Sequence, residues 1–219
     1  MSFPKSHPGL RIGRCDSELQ CEMFLDFACP YSRKLFRTVT NKSLLSKYDE
    51  KICFVFHNVI QPWHHQSLWL HETSYAVKMI KPSSQLAFWE KLFDEAPSYY
   101  DSEVFALSRG EFYEKMAVLA ADACCDDANE KDSFKKQVLQ WLIPPKQPGG
   151  NYPEAGKVLG SSPDDDENAL FPFTLQTVKF HRKRGVHVTP TVFFNGIEQG
   201  NISSSWSTDQ WKEFLDGTI

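Results

Sequence analysis

The sequence lacks the features that mark several common functional classes. No two of its cysteines are separated by two residues, so it has no dithiol redox motif and no CxxC zinc pair. It has no glycine-rich phosphate loop, no GxSxG sequence, and no apolar run of the roughly 20 residues that span a bilayer. The formal net charge is −4, whereas nucleic acids and anionic membranes select basic surfaces. We therefore expect no nucleic-acid partner and no membrane partner.

The cysteine content indicates free thiols. The start of the sequence, MSFPKSHPGLRIGR, has no apolar core of a secretory signal, so we expect a cytoplasmic protein whose thiols stay reduced. The six cysteines are Cys15, Cys21, Cys29, Cys53, Cys124 and Cys125. Their spacing shows no disulfide framework, and a vicinal disulfide between the last two would be strained. We therefore expect the vicinal pair to be two free thiols.

A group of histidines and a short basic cluster are polar features of the sequence, but neither has the spacing of a binding site. His65 and His71 are too far apart for one helical turn, and together with His64 they lack the further ligands of a zinc site. We expect these histidines to form the polar start of a helix and predict no metal site. The basic cluster His181–Arg184 is short, and we expect it to be the solvated end of a helix.

The first part of the chain predicts a parallel β-α-β unit. The mostly apolar stretch 21–27 and the β-branched and aromatic stretch 51–60 are typical of buried strands. Between them, residues 30–48 predict a helix that begins with proline in its first turn. The residues expected on its buried face are Tyr31, Leu35, Val39 and Leu44 or Leu45.

The rest of the chain predicts a helical block and then a return to mixed structure. Helical periodicity covers residues 66–80, 85–95, 110–125 and 131–143, and residues 144–168 form a Pro/Gly-rich loop by composition. A helix is then predicted at 169–184, a strand at 191–194, an Asn195-Gly196 hairpin turn with a partner strand at 197–201, and a helix at 208–216. We therefore predict an α/β domain made of residues 10–61 and 169–217, interrupted by an α-helical insertion at 62–168.

Cys29 lies where the first strand ends and the first helix begins, in FLDFACPYSRK. The free N–H groups and the positive end of the helix dipole favour a thiolate at this position, and the thiolate is the nucleophilic form. A small buried cysteine at a strand end explains the same residue without chemistry. Near the other end of the chain, Pro190 starts a strand, where a cis peptide bond would turn Thr189 outward and a trans proline is the ordinary alternative.

Together these segments resemble the DsbA-like branch of the thioredoxin superfamily. Asp26, Phe27, Cys29, Pro30 and Tyr31 match its D-F/Y-x-C-P-aromatic motif, and GVHVTPTVFFNG matches its second motif, G-V-x-x-T-P-T-x-F-x-N-G. The resemblance implies a thioredoxin fold (β-α-β followed by α-β-β-α) with an inserted α-helical domain. It also implies that Cys29 is the nucleophile, that Thr189 and Pro190 form a cis-proline loop beside it with Pro30 and Tyr31 near the substrate, and that Asp26 supports the site.

Ser32 is the departure from this pattern. Dithiol members carry the resolving cysteine at this position, whereas a serine hydroxyl cannot attack a mixed disulfide. It can donate a hydrogen bond to a Cys29 thiolate, so we predict that Cys29 and Ser32 are the catalytic residues of a monothiol oxidoreductase. The expected substrate is a disulfide-containing or glutathionylated protein, or a small thiol. Glutathione would be a co-substrate, and no cofactor is expected to be bound.

Two alternatives remain open at this stage. Kappa-class glutathione transferases have a similar fold and an S-P-Y-S motif, which Pro30 to Ser32 match equally well. A thioredoxin fold that has lost its resolving thiol can also persist as a redox-inactive binding module, because fold does not fix function.

Overall fold

One mixed sheet forms the centre of the α/β part of the molecule. The computed structural model describes residues 9–159, 164 and 166–219. The strands of the described part are β1 (Leu10–Gly13), β2 (Gln20–Leu25), β3 (Cys53–Asn58), β4 (Thr191–Phe194) and β5 (Ile197–Glu198). Their order in the sheet is β1-β3-β2-β4-β5. β2 and β3 are parallel, as predicted, and the other neighbouring pairs are antiparallel.

Helices make up most of the remaining described structure. They are α1 (Pro30–Val39), α2 (Lys42–Tyr48), α3 (Ser67–Ile80), α4 (Gln85–Glu95), α5 (Asp101–Val104), α6 (Arg109–Cys124), α7 (Ala128–Leu142), α8 (Phe171–Lys183) and α9 (Thr208–Asp216). Over the described ranges, no helix combines the length and the apolar character needed to cross a bilayer. Helices α3–α7 lie between β3 and α8 in the chain, while the division into two domains at 62 and 168 stays a prediction.

An aromatic cluster joins the sheet to the helical segment. Phe27, just after β2, contacts Trp89 and Phe93 of α4, with ring centroids 4.7 and 5.0 Å apart. Phe36 of α1 contacts Phe93 at 4.7 Å and Phe56 of β3 at 5.2 Å. All five side chains are buried. Because Phe27 lies two residues before Cys29, this packing fixes the backbone that leads to the predicted nucleophile.

The helix predicted for residues 30–48 is wrong in two respects. It is broken after Val39, because the Asn41 side chain accepts a hydrogen bond from the Ser43 N–H at 2.9 Å and so starts a second helix. Tyr31, expected on the buried face, is 63% exposed. The buried stripe of α1 begins one residue later, at Ser32, and continues through Leu35, Phe36 and Val39.

The edges of the sheet also differ from the prediction. β1 was not predicted, because its four residues, LRIG, form an edge strand with too short an apolar pattern. The turn at Asn195-Gly196 is confirmed, with φ values of 47° and 80°. Its partner strand is only two residues long instead of the predicted 197–201.

The segment predicted as a loop contains local structure. Residues Glu154–Leu159 form a 3-10 helix, while positions 160–163 and 165 of the predicted loop lie outside the described residues. At the end of the segment, the buried Asn168 amide donates a hydrogen bond of 2.9 Å to Oε1 of Glu72 on α3. The short helix α5 was not predicted either.

Candidate active site

Cys29 is the N-cap residue of α1. Its backbone is extended, with φ −91° and ψ 119°, and its carbonyl accepts the first helical hydrogen bond from the Arg33 N–H at 3.1 Å. Pro30 follows as the first helical residue, and it is exposed, as is Tyr31. The Cys29 side chain itself is only 4% exposed. The predicted position at a helix start is therefore confirmed, with the thiol recessed below its exposed neighbours.

The Thr189–Pro190 loop lies directly against this thiol. The Thr189–Pro190 peptide bond is cis. The Cys29 thiol donates a hydrogen bond to the Thr189 carbonyl oxygen, with 3.3 Å between Sγ and O. Residues 160 positions apart in the sequence thus meet at one point. This bond is available to the thiol and not to the thiolate, so ionisation frees the Thr189 carbonyl.

Asp26 holds the turn that precedes Cys29. Its backbone carbonyl accepts a hydrogen bond from the Cys29 N–H at 3.1 Å, and its Oδ1 accepts one from the Ala28 N–H at 3.0 Å. Ser67, at the start of α3, donates a hydrogen bond of 2.8 Å to the same Oδ1. The side chain is completely buried. Asp26 therefore joins the Cys29 turn to the beginning of α3.

Two histidines complete the surroundings of the Asp26 carboxylate. His64 Nδ1 lies 2.7 Å from Oδ2, and His71 Nε2 lies 3.4 Å from Oδ1. The Asn58 amide donates to His71 Nδ1 at 2.8 Å, so His71 carries its proton on Nε2, facing Asp26. The prediction that these histidines form a polar helix start is wrong for His71, which is wholly buried in α3.

These contacts keep Asp26 ionised. Burial by itself raises the pKa of the carboxyl, but the hydrogen bonds from His64, His71 and the Ala28 N–H outweigh it and lower the pKa to about 2. In return, the Asp26 carboxylate raises the pKa of His64 above its ordinary value of 6.5. A permanently ionised group does not exchange protons with Cys29 near neutral pH. The contacts of Asp26 hold the Cys29 turn in place, and its supporting role in the chemistry stays a prediction.

Ser32 lies in a different place from the one predicted. Its side chain is completely buried, and its Oγ accepts a hydrogen bond from the Asp26 N–H at 3.2 Å. The predicted bond from Ser32 to the Cys29 sulfur is absent from the hydrogen bonds of the described residues. Ser32 faces the core because it opens the buried stripe of α1. In the structure it braces the Asp26 backbone, and its catalytic role stays a prediction.

Three segments that reach the site each carry one exposed apolar side chain. Tyr31, Trp63 and Val188 are 63%, 53% and 61% exposed. Each adjoins a residue already in the site, because Tyr31 follows Pro30, Trp63 precedes His64 and Val188 precedes Thr189. Gln61 donates a hydrogen bond of 3.3 Å to the His187 carbonyl and so ties the segment after β3 to the proline loop.

The helical segment contributes to the site as well. Tyr100 is close enough to Cys29 and Arg33 for their charges to act on it. Burial first, and then Cys29, raise the pKa of Tyr100, while Arg33 acts in the opposite direction. The Arg33 guanidinium donates to the Phe93 carbonyl at 2.6 Å, which fixes α1 to the end of α4.

A basic cavity begins beside the nucleophile and follows α1. Its volume is about 480 Å³. The residues that line it are Pro30, Arg33, Lys34, Arg37, Thr38, Asn41 and Thr208. Arg37 pairs with Asp94 at 3.5 Å, whereas the hydrogen bonds of Arg33 go to backbone carbonyls. The cavity therefore presents positive charge close to Cys29.

Sequence reasoning missed His64, His71, Ser67 and Tyr100. A signal for the first three existed in the parallel strands. The carboxyl ends of β2 and β3 meet at the same edge of the sheet, so polar residues soon after β3 face those just after β2. Tyr100 had no comparable signal, because its approach to Cys29 depends on how the helical segment packs.

Solved structures with this architecture carry redox descriptions. BdbD from Bacillus subtilis, in its oxidised form, matches with a TM-score of 0.62 and 18% identity, covering 96% of this chain and 92% of that one. The chain has a thioredoxin fold. MdbA, a thiol-disulfide oxidoreductase from Actinomyces oris, matches with a TM-score of 0.61 and 16% identity, covering 96% of this chain and 85% of that one.

A third structure agrees over nearly the full length of both chains. It is a candidate protein-disulfide isomerase from Pseudomonas syringae, with a TM-score of 0.64 and 17% identity, covering 94% of this chain and 97% of that one. No protein-family model matches the sequence, and no curated protein matches it either. At these identities the likeness establishes the fold alone.

Proposed function

We propose that the protein is a monothiol thiol-disulfide oxidoreductase in which Cys29 is the nucleophile and an external thiol, glutathione, completes the reaction. The observation that carries the proposal is the Cys29 thiol at a helix N-terminus, 3.3 Å from the carbonyl that precedes a cis-proline, with serine at position 32. The fold shared with thiol-disulfide oxidoreductases supports it. A glutathione-containing compartment, the cytoplasm, is the proposed location.

The first step forms a mixed disulfide. The Cys29 thiolate attacks the glutathione sulfur of a glutathionylated protein, and the Cys29–glutathione disulfide forms as the protein–glutathione disulfide breaks. The protein leaves as a thiolate and takes a proton from solvent. The free N–H groups of the first turn of α1 stabilise the attacking thiolate. Loss of the thiol proton also releases the Thr189 carbonyl from its bond with Cys29.

The second step needs a thiol from outside the chain. Ser32 cannot attack the mixed disulfide, and its hydroxyl is buried against the Asp26 backbone. A glutathione thiolate attacks the glutathione sulfur of the mixed disulfide, and the products are oxidised glutathione and the Cys29 thiolate. Over the two steps one glutathione thiol is consumed, and the protein–glutathione disulfide of the substrate is exchanged for a protein thiol and one molecule of oxidised glutathione.

The surroundings of Cys29 support a polypeptide substrate. Exposed apolar side chains such as Tyr31, Trp63 and Val188 mark an interaction surface when they cluster. The carbonyl of Val188 accepts a hydrogen bond within the chain, from the Thr191 hydroxyl at 2.7 Å. The proline loop is thus held in place by its own contacts, and an extended chain can lie along it in strand-like fashion.

The basic cavity along α1 supports glutathione as the second substrate. Glutathione carries two carboxylates, and the cavity offers Arg33 and Lys34 beside Pro30. Lys34→Glu should therefore raise KM for glutathione by roughly threefold to tenfold at low salt while kcat changes little. Lys183→Glu, an exposed lysine at the end of α8, is the matched control. Equal effects of the two substitutions would argue against glutathione binding in this cavity.

One observation favours the rival function, a redox-inactive binding module. Cys29 is only 4% exposed, so a large substrate must move the rim of the site before it reaches the sulfur. The two functions predict different chemistry at the same surface. A binding module keeps its affinity for polypeptides when Cys29 is replaced and shows no turnover with it.

The deciding experiment measures turnover of a glutathionylated peptide with glutathione, following oxidised glutathione by its enzymatic reduction. We expect ping-pong kinetics, and Cys29→Ser should lower the rate by roughly 100-fold or more because no other group replaces the thiolate. Cys125→Ser, far from the site in sequence, should leave it unchanged. Absence of turnover in the wild type favours the binding module. Glutathione conjugation of an electrophile that survives Cys29→Ser favours transferase chemistry.

A further inference from the structure

A second thiol site lies at the other end of the sheet from Cys29. Gln20 pairs with Cys53 where β2 and β3 begin, and Leu25 pairs with Asn58 where they end. Cys29 follows Leu25, so Cys53 and Cys29 are separated by the length of β2. Chemistry at Cys53 therefore does not depend on the proposed role of Cys29.

The pairing of β1 with β3 brings Cys15 close to Cys53. Gly13 is the register partner of Cys53, and the Arg14 N–H continues the pairing with a hydrogen bond of 3.2 Å to the Ile52 carbonyl. Gly13 has φ +87°, and a Cβ there would meet the Ile52 oxygen at 2.5 Å, so only glycine allows this close approach. The Cys15 Sγ then folds back, 3.4 Å from the Gly13 carbonyl oxygen. Cys15 is thereby brought close enough to Cys53 to influence the pKa of the Cys53 thiol.

Arg11 places a positive charge on the pair. Its Nη2 donates to the Cys53 sulfur at 3.6 Å and to the Cys15 carbonyl at 2.6 Å. A guanidinium against a thiol stabilises the thiolate that thiol–disulfide exchange requires. Cys53 is completely buried, whereas Cys15 is exposed. A small disulfide can therefore reach the Cys15 thiol, and the buried Cys53 thiol lies where it can attack a disulfide formed on Cys15.

We propose that Cys15 and Cys53 form a second redox site, which closes to an intramolecular disulfide when a low-molecular-weight disulfide such as oxidised glutathione reacts at Cys15. The Cys15 thiolate attacks the small disulfide and releases one thiol. The Cys53 thiolate then attacks the Cys15 sulfur, closes the Cys15–Cys53 bond and releases the second thiol. Two protein thiols are oxidised, one small disulfide is reduced to two thiols, and the thiol protons pass to the departing thiolates.

Opposing influences act on the pKa of Cys53. Burial first, and then the neighbouring Cys15 thiol, raise the pKa of Cys53, while Arg11 acts in the opposite direction. Arg11, which lies against the Cys53 sulfur, is thus the group that favours the Cys53 thiolate needed for closure. The closed disulfide joins the end of the edge strand β1 to the start of β3. Oxidation thus covalently secures a strand that otherwise pairs only with β3 in the described sheet.

The test uses the full chain carrying Cys29→Ser, so that the proposed catalytic thiol takes no part. The reduced protein is treated with oxidised glutathione, its free thiols are blocked, and it is digested without reductant for mass spectrometry. We expect a peptide linked through Cys15 and Cys53, and an intact protein that has lost two hydrogen atoms without gaining glutathione. A protein that carries stable glutathione on Cys15, or none, would overturn the proposal.

Two variants separate the steps. Cys53→Ser should stop the reaction at Cys15 and leave it glutathionylated, whereas Cys15→Ser should leave both positions unmodified because Cys53 is buried. Arg11→Gln should slow closure of the disulfide by roughly tenfold, with Arg14→Gln, an exposed neighbour, as the control. Cys15→Ser changes an exposed residue, so it keeps the test decisive even where Cys53→Ser folds poorly. Cross-linking that persists in Cys15→Ser would contradict the assignment.

Discussion

Asp26 and Glu22 are two buried carboxylates on one stretch of chain, and they have different partners. Glu22, within β2, accepts hydrogen bonds from Arg184 at 3.1 and 3.2 Å and lies 3.0 Å from His57 Nε2. Burial raises its pKa, and His57 and Arg184 more than offset this, so the pKa falls to about 2. Asp26 reaches a similar pKa of about 2 through His64, His71 and the Ala28 N–H.

The difference lies in what each carboxylate holds in place. Glu22 has a permanent cation, and Arg184 also lies 4.5 Å from the Phe193 ring, so this group fastens the end of α8 to the sheet. Among the described residues, the side-chain hydrogen bonds of Glu22 go to His57 and Arg184, and neither belongs to the Cys29 turn. Asp26, in contrast, accepts hydrogen bonds from the Ala28 N–H in the Cys29 turn and from the hydroxyl of Ser67, the first residue of α3. The same electrostatic arrangement thus supports stability in one place and the geometry of the proposed site in the other.

Replacing each carboxylate by alanine should give the largest contrast. Asp26→Ala leaves the buried Ala28 N–H and Ser67 hydroxyl without their acceptor, so we expect a loss of about 3 kcal/mol in the free energy of unfolding and roughly tenfold slower turnover of the glutathionylated peptide. Glu22→Ala should cost about 2 kcal/mol because Arg184 loses its partner, with turnover unchanged at a temperature where the protein is folded. Urea unfolding and the turnover assay measure both quantities.

Asp26→Asn separates the geometry of Asp26 from its charge. The amide oxygen can still accept from the Ala28 N–H, so we expect this variant to recover most of the turnover that Asp26→Ala loses. Equal losses of turnover in the alanine variants of Glu22 and Asp26 would contradict the claim that only Asp26 supports the geometry of the site.

The two networks should also differ in their response to pH. The pKa of His64 is raised by its bond to Asp26, so the stabilisation it brings is fully present below about pH 6.5 and is lost as pH rises through its folded-state pKa. Arg184 keeps its charge over this range. From pH 6 to pH 9, the stability difference between the wild type and Asp26→Asn should shrink by about 1 kcal/mol or less, because His64 is partly exposed. The corresponding difference for Glu22→Gln should stay constant in this range.

The same histidine can be followed directly. The imidazole of His64 should titrate at lower pH in Asp26→Asn than in the wild type, as observed by NMR of the histidine ring protons. Titration curves that coincide in the two proteins would contradict the assigned hydrogen bond.

The smallest expected effect is that of a single donor. Ser67 supplies one of several contacts to Asp26, so Ser67→Ala should cost about 1 kcal/mol in stability and slow turnover no more than about threefold. Thr177→Ala, which removes a buried hydroxyl bonded within α8, is the matched control and should affect stability alone. A larger loss of turnover for Thr177→Ala than for Ser67→Ala would contradict the claim that the contacts of Asp26 support the geometry of Cys29.

Parts of this arrangement could be predicted because they depend on local patterns. The helix start after Cys29, the turn at Asn195-Gly196 and the strand 191–194 follow from proline, glycine and β-branched residues near in sequence. The break after Val39 was missed because it depends on the side chain of one asparagine. The cluster His181–Arg184 does end a helix, but the prediction that it is solvated is wrong for Arg184, which pairs with Glu22, and for His181, which is buried.

The site itself was only partly predictable for a related reason. Asp26, Cys29, Thr189 and Pro190 could be named from their motifs, and the structure brings them together. The orientation of Ser32 and the contacts of His64 and His71 depend on how α1 and α3 pack, which periodicity alone does not define. Likewise, the meeting of Cys15 with Cys53 depends on an edge strand too short to recognise in the sequence.

The lifetime of the mixed disulfide at Cys29 tests the central proposal most directly. The protein carrying Cys15→Ser is loaded with oxidised glutathione, freed of small molecules, and followed by intact-mass spectrometry before and after glutathione is added. We predict one glutathione on Cys29 that persists in the absence of added thiol and is removed within the mixing time of the turnover assay when glutathione is added. Spontaneous release of glutathione with formation of an internal disulfide, or no adduct at Cys29, would contradict the account.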